Sequence, residues 1–322
     1  MRLSIIIPFY NVEQYIAQCL DSVYQQDIPE EEYEVICVND ASPDHSRDIV
    51  LEYQKIHSNL ILVEHEVNKK LGAARNTGRA IAKGNYIWNV DSDDMIVPNC
   101  LKVMLDTCET NNLDVLLFGC NQLVGGDIVN SNELIWKEEE KPYSGLFFWN
   151  HQGMDHIKSI SAVWKMMIKK AYLDENDIFS PPINMSEDVP YTYKTLLLSN
   201  RMMAKNTPYY IYRINELALT GQLKKTPTAV MLYEEGFVCG KALYDISKYI
   251  PKNEKSVRQS IINTIRFLIV EDWNCFSNMN EEQCKQYSHL VMRNFFKNGF
   301  IFHVLSRKQI YTLLKTCIKK SF

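Results

Sequence analysis

The chain has 322 residues, 46% of them apolar, with 35 basic against 39 acidic side chains and a formal net charge of −4. That balance describes a globular protein and excludes disordered, collagen-like and generally nucleic-acid-binding compositions. At roughly 150 residues per domain the length predicts about two domains. Charged residues interrupt every apolar run well short of the ~18 residues that span a bilayer. The opening MRLSIIIPFYN has neither the cleavage site nor the h-region of a signal peptide, so a cytoplasmic protein is expected.

Leu3 to Pro8 is a continuous apolar run of buried-strand length. Asn11 and Gln14 then form a capping-box pair ahead of Ile16, Cys19, Leu20 and Val23, which recur at helical spacing. Glu34 to Asn39, Leu60 to Glu64 and Tyr86 to Val90 read as further strands, separated by helices at about 46–57 and 72–83. Strands alternating with helices predict an α/β fold with a doubly wound, mainly parallel sheet. Pro98 is placed for the first turn of a helix running to about Asn111, and Val115 to Cys120 reads as another strand. From Gly125 to Pro182 the pattern loosens into turn signals, mixed charge and aromatics, as expected of a subregion lining a cleft.

Beyond residue 226 the apolar spacing is helical in Val230–Tyr249, Ser256–Phe276 and Arg307–Lys320. This gives a domain of residues 1–225 and a helical C-terminal region of 226–322. No Asp or Glu follows Glu282 while eight Lys or Arg do. The last helix, with Ile310, Leu313, Leu314 and Cys317 on one face and Lys308, Thr312, Lys315 and Lys319 on the other, suits a peripheral contact with an anionic membrane face or plain packing with its lysines in water. The nine cysteines form no C-x-x-C or Cys/His zinc spacing and are expected as reduced thiols without a role.

Ligands of open parallel sheets bind at the carboxyl ends of the strands. Three such ends are polar or acidic: Pro8–Asn11, Asn39–Asp44 and Asp91–Asp94. Three carboxylates among four adjacent residues invite a hard divalent cation, Mg²⁺ or Mn²⁺, and on an extended backbone Asp91 and Asp93 point to the same side. The alternative is a solvated acidic turn before the next helix. Asn39–Asp44 is read, by itself, as Asx-turn and capping chemistry. Arg75, on the small-residue helix NKKLGAARNTG, faces a phosphate or orients a carboxylate.

Order and spacing carry more than any single motif. SIIIPFYN at 4–11, VNDASPDHS at 38–46, NKKLGAARNTG at 68–78 and GNYIWNVDSDD at 84–94 resemble, in the same order, the family 2 glycosyltransferases of the GT-A fold. Weaker similarity continues through VWKMMIKKAYL, SEDVPYTYK and YYIYRINELALTG, to about residue 220. The resemblance implies a nucleoside-diphosphate sugar donor, by family frequency a UDP-sugar. Its base and ribose would meet Pro8, Phe9, Tyr10, Asn11, Asp40 and Ser42, with Asp44 supporting that loop. Asp91 and Asp93 would be the D-x-D pair, Asp93 on the metal, Asp91 and Ser92 near ribose or sugar, and Asp94 secondary. Arg75 or Arg213 would assist the diphosphate. Glu187 and Asp188 would be the acidic pair on the acceptor side, with Asp188 as general base.

Direct displacement with one base implies inversion. The absence of the Q-x-x-R-W signature and membrane helices of processive synthases implies transfer of one residue, or very few, to a carbohydrate or lipid-linked acceptor. Two positions depart from the family's pattern: Ala41 stands for a glycine, and Lys70 stands where a glycine precedes Leu71, so another turn geometry is expected there. Trp164 is expected in a core strand. The rival readings are a nucleotidyltransferase and a catalytically idle sugar-nucleotide sensor or scaffold.

Overall fold

The computed structural model describes residues 1–131, 136–152, 162–183, 186–214, 229–270 and 304–305. The chain divides into two compact units, Met1–Ile214 and Asn215–Phe322. The boundary expected at 225/226 and the basic helix expected over 307–320 lie outside the described residues. In the second unit α8 (Ala229–Ser247) and α9 (Lys255–Val270) pack together as a helical pair.

In the first unit β1 (Leu3–Phe9) and β2 (Tyr33–Asn39) are buried along their whole lengths, as strands covered on both faces must be. They are joined through α1 (Ile16–Tyr24), and followed by α2 (Ser46–Ile56), β3 (Leu60–Glu64), α3 (Leu71–Ile81) and β4 (Tyr86–Asn89). Alternation along β1 divides its side chains between two cores. Ile5, Ile7 and Phe9 join Cys19, Leu20, Leu101 and Met104 on one face, while Ile6 joins Ala74, Tyr172 and Leu196 on the other. Each such apolar side chain contributes about 1.5–3 kcal/mol on burial, so the sheet is the stable frame on which the loops are mounted.

The rest of the unit is β5 (Met95–Ile96), α4 (Leu101–Thr110), β6 (Val115–Val124), β7 (Asp127–Asn130), α5 (Gly145–Gln152), β8 (Met166–Lys169), α6 (Lys170–Glu175), α7 (Asp188–Leu198) and β9 (Met202–Arg213). The sheet order is β3-β2-β1-β4-β8-β6-β9-β5, with β7 paired to β6. Strands β1 to β4 are mutually parallel. Strand β8 is antiparallel to both β4 and β6, and β6 is parallel to β9. The mainly parallel sheet expected from the sequence is therefore present, with an antiparallel strand wedged into it.

Several local expectations are corrected. The Asn11/Gln14 capping box does not form: Tyr15 occupies the N-cap position without a side-chain cap, and Asn11 takes φ 56°. Pro98 lies in a turn, three residues before α4 begins. The orphan N–H groups there are met instead from the loop just after α1, where Gln26 Oε1 accepts from Cys100 and Leu101 and Asp27 Oδ1 accepts from Lys102. Trp164 sits in a single 3-10 turn, Val163–Lys165, that leads into β8, and not in a strand. Strand β9 was hidden by Asn206 and Pro208 in its middle. The β6–β9 register shifts at that point, and Gly119 lets the Asn206 carbonyl approach, 2.7 Å from where a Cβ would stand.

Candidate active site

Because β2, β1 and β4 are adjacent and parallel, their carboxyl ends open on one edge of the sheet. At the first end Pro8 and Phe9 are still within the strand, level with Val38 and Asn39. The Phe9 ring is 2% exposed and belongs to the core, so Phe9 offers the edge only its backbone, whereas Tyr10 is 47% exposed. Asn11 N–H donates to Ser42 Oγ at 2.7 Å and Glu13 N–H to Asp44 Oδ2 at 2.8 Å. Asp44 also accepts from Ser42 Oγ and Ser46 Oγ. Burial opposes its charge, but the bonds from Ser46, Ser42 and Glu13 outweigh that and hold its carboxyl below the usual range. Asp44 thus ties the first two loops together.

Asp40 is buried and spends its carboxylate on the protein: Oδ1 meets His65 Nδ1 at 2.7 Å and Lys69 N–H at 2.8 Å, and Oδ2 accepts from Lys70 N–H at 2.9 Å. His65 Nε2 in turn lies 2.9 Å from Thr77 Oγ1 on α3. Asp40 therefore anchors the loop that enters α3, a role its sequence context did not suggest. Lys70 ends that loop at φ 77°, ψ 161°, a region nearly reserved for glycine, and Ala41 takes φ 59°. The lysine has not moved the turn to a conformation that suits a side chain; the strain is retained. Lys70→Gly keeps the N–H that Asp40 needs and is expected to raise stability by about 1 kcal/mol, the strain relieved less the entropy of glycine. Urea denaturation reads this directly, and a lowered midpoint would mean that the lysine's own interactions outweigh the strain.

Asp91–Asp94 is a turn and not an extended segment, so strand alternation does not place Asp91 and Asp93 together; the turn does, closed by Asp94 N–H to the Asp91 carbonyl at 3.1 Å. Ser92 is buried. The Asp93 carboxyl is pushed up to about 6 by burial and then by the charge of Asp91. Asp94, 1% exposed, accepts from Tyr210 Oη at 2.8 Å and from Arg213 N–H at 2.7 Å. Arg213 Nε donates to the Asp93 carbonyl at 2.7 Å, and its guanidinium is held by Gln18 and by the Tyr15 ring.

Arg75, 4% exposed, projects from α3 between two carboxylates: NH2 to Asp91 at 2.8 Å and NH1 to Glu187 at 2.6 Å. Burial works against the guanidinium charge, but Asp91 and Glu187 outweigh it and raise its pKa. The arginine thus orients carboxylates, one of the two tasks its sequence context left open. Glu187 occupies the N-cap position of α7, and Asp188 is the first residue of that helix. Burial raises both acids, Asp188 to about 8 with Glu187 as the second cause. Arg75 opposes the shift at Glu187 through charge and a hydrogen bond, and at Asp188 through charge alone.

The same face of α3 grips the segment that leads towards the acidic pair. Asn76 exchanges two hydrogen bonds with the Ser180 backbone, at 2.7 and 3.0 Å, and Arg79 reaches the Ile178 carbonyl and Asp174. A Cβ on Gly72 would stand 1.8 Å from the Pro181 carbonyl oxygen, so only glycine permits this approach. The sequence places Asn76 beside Arg75 on this helix without a role for it, and His65 was not singled out. Trp164 stacks on Tyr210 at 4.3 Å and on Tyr212 at 5.5 Å, and Lys165 is buried beside it.

Asp91 and Asp93 suit a divalent cation. Both offer hard oxygens, and a cation would relieve the repulsion that raises Asp93. Among the described residues no three His, Cys, Asp or Glu side chains converge to hold an ion. Two carboxylates completed by substrate phosphate and water is the usual arrangement for Mg²⁺.

An α/β sheet of this order, with acids at the ends of β2 and β4 and an acidic pair opening a helix beside them, is the GT-A arrangement. The family model described as Glycosyl transferase family 2 matches residues 4–172, and the chain belongs to that family. It is 32% identical over 219 residues to the poly(ribitol-phosphate) beta-glucosyltransferase of Bacillus spizizenii, covering 66% of this chain and 32% of that one. It is 29% identical over 233 residues to the uncharacterized glycosyltransferase EpsJ of Bacillus subtilis, covering 68% of this chain and 62% of that one. The chain therefore spans less than two thirds of either relative. Staphylococcus aureus TarS 1–349 in complex with UDP-GlcNAc superposes with a TM-score of 0.73 at 24% identity, covering 100% of this chain and 88% of that one, a likeness of fold. Among the described residues no helix is long and apolar enough to cross a membrane.

Proposed function

We propose that this chain is an inverting, metal-dependent, non-processive glycosyltransferase that moves a sugar from a UDP-sugar to an acceptor hydroxyl during surface-polysaccharide or wall-polymer assembly. The observation that carries the reading is Arg75, forked between Asp91 and Glu187, because it joins the donor-side acids to the acceptor-side acids in one ion-paired chain. Family membership supports sugar transfer, and the relative from Bacillus spizizenii and the UDP-GlcNAc complex of TarS support a uridine nucleotide and a polyol-phosphate type of acceptor.

A cation bound at Asp91 and Asp93 would supply Lewis-acid neutralisation of the diphosphate leaving group. The chain's own residues do the rest. Tyr10 and the Asn11–Ser42 pair present the edge of the nucleoside site, and Asp40 fixes its floor through the Lys69–Lys70 backbone. Arg75 opposes the effect of burial on Glu187 and fixes its carboxylate in place. Asp188, deprotonated, takes the proton of the acceptor hydroxyl as it attacks the anomeric carbon from the face opposite the diphosphate, which inverts the centre.

Incubation with UDP-glucose or UDP-N-acetylglucosamine, Mn²⁺ and a polyol-phosphate acceptor is expected to release UDP in an acceptor-dependent manner. Nucleotide binding without release would instead favour a sensor, and release of pyrophosphate from UTP and a sugar 1-phosphate in a parallel incubation would favour a nucleotidyltransferase. Asp93→Ala is expected to lower Mn²⁺-dependent UDP affinity by at least about 10-fold, the smallest loss usual when even an outer partner of a metal site is removed. An unchanged calorimetric titration would reject the metal assignment.

A further inference from the structure

The Asp91–Asp94 turn is shaped by a strand more than a hundred residues downstream. Tyr210, on β9 and fully buried, uses both capacities of its hydroxyl on this turn: it donates to Asp94 Oδ2 at 2.8 Å and accepts from Asp91 N–H at 3.0 Å. The hydroxyl therefore bridges the first and last residues of a four-residue turn whose backbone closure is a single 3.1 Å bond. The ring that carries it has little freedom, being stacked on Trp164 at 4.3 Å with an interplanar angle of 12°. Trp164 is pinned in turn, because its carbonyl accepts from Trp88 Nε1 at 2.8 Å, and Trp88 lies on β4, the strand that runs into the turn. The contacts thus form a closed circuit from β4 through Trp164 and Tyr210 to the turn and back to β4. Three residues after Tyr210, Arg213 adds its N–H to Asp94 and its Nε–H to the Asp93 carbonyl. Asp94 is wholly occupied by β9 and Asp91 is paired with Arg75. Among the described residues, Asp93 is the acid of the turn whose carboxylate has no hydrogen-bond partner on another element.

We propose that Tyr210 is a positioning residue, whose hydroxyl holds the Asp91–Asp94 turn in the shape that lets Asp91 and Asp93 share one divalent cation. Asp94 is then the inner anchor of that strut and not a ligand. This inference rests on the metal reading given above. Polar partners behind metal-binding carboxylates fix their direction, and their loss typically costs about 10–100-fold in metal affinity.

The test is calorimetric titration of the full chain with UDP, with and without Mn²⁺, for the wild type, Tyr210→Phe, Asp94→Asn and the double variant. Tyr210→Phe retains the stacked ring and removes only the hydroxyl. Its thermal midpoint is expected to fall whatever the role, since a buried carboxylate and an N–H lose a partner, so the deciding quantity is the ratio of UDP affinities with and without Mn²⁺. That ratio is expected to drop about 10-fold in Tyr210→Phe and to drop in Asp94→Asn. The double variant is expected to lose no more than the worse single one, as for two groups acting through one bond. An unchanged ratio in Tyr210→Phe, or single losses that multiply in the double variant, would overturn the role of the strut. A wild type that binds UDP with no dependence on Mn²⁺ would overturn the metal reading itself, and the inference with it.

Discussion

Asp188→Asn is expected to lower kcat by about 10²–10⁴-fold, the range general-base catalysis supplies, while leaving UDP-sugar affinity nearly unchanged. The amide matches the carboxylate in shape, so the start of α7 and the Arg75–Glu187 pair remain in place and only the proton acceptor is lost. The helix start is a rigid mount for a base, and its surroundings raise its basicity. Burial first and Glu187 second push Asp188 up to about 8, far above the ~4 of a free aspartate. A base works only when deprotonated, so activity rises with pH through that raised value and is lost below it. The pH profile of kcat/KM should carry an acidic limb well above the ordinary carboxylate range, and Asp188→Asn should abolish it. Undiminished turnover of the variant would exclude Asp188 as the base.

Arg75→Met is expected to be the most destabilising single change at the site, by roughly 3–5 kcal/mol, because it leaves two carboxylates without the cation between them. Glu187 is nearly inaccessible and bears most of that loss. Asp91, with a quarter of its side chain exposed, is partly rescued by water, which argues for the lower end of the range. Arg75→Lys separates charge from geometry: an ammonium restores a positive charge but cannot fork to Asp91 at 2.8 Å and Glu187 at 2.6 Å together. Stability should return in part and transfer should not. Denaturant unfolding of the two variants, read beside kcat, distinguishes the two contributions. Wild-type turnover in Arg75→Lys would show that the fork is unnecessary.

Long periodic segments were legible from the residues alone. Strands β1 to β3 and helices α2 and α3 fall within a residue or two of their expected bounds, since each buries a continuous run or stripe whose period announces it. The acids at the ends of β2 and β4 were legible for a related reason, as a polar cluster straight after a buried strand of a parallel sheet has one edge on which to lie. Short elements held by distant partners were not. Strand β8 is four residues rich in methionine and gains its identity only by filling the gap between β4 and β6. The start of α4 depends on Gln26 and Asp27, which lie just beyond the end of another helix.

Within the candidate site the division is the same. Position at strand ends marked Asp40, Asp91 and Asp93 as acids to examine, and the resemblance to family 2 glycosyltransferases added Glu187 and Asp188. The sequence did not determine which acid is spent on structure and which is left for a ligand. Only the folded chain decided that Asp40 anchors the loop into α3, that Asp94 is tied to Tyr210, and that Arg75 pairs with Asp91 and, 112 positions away in sequence, with Glu187. A buried polar atom must find a partner, and which partner it finds depends on what packing brings within 3 Å, a property of the whole sheet and not of any local pattern.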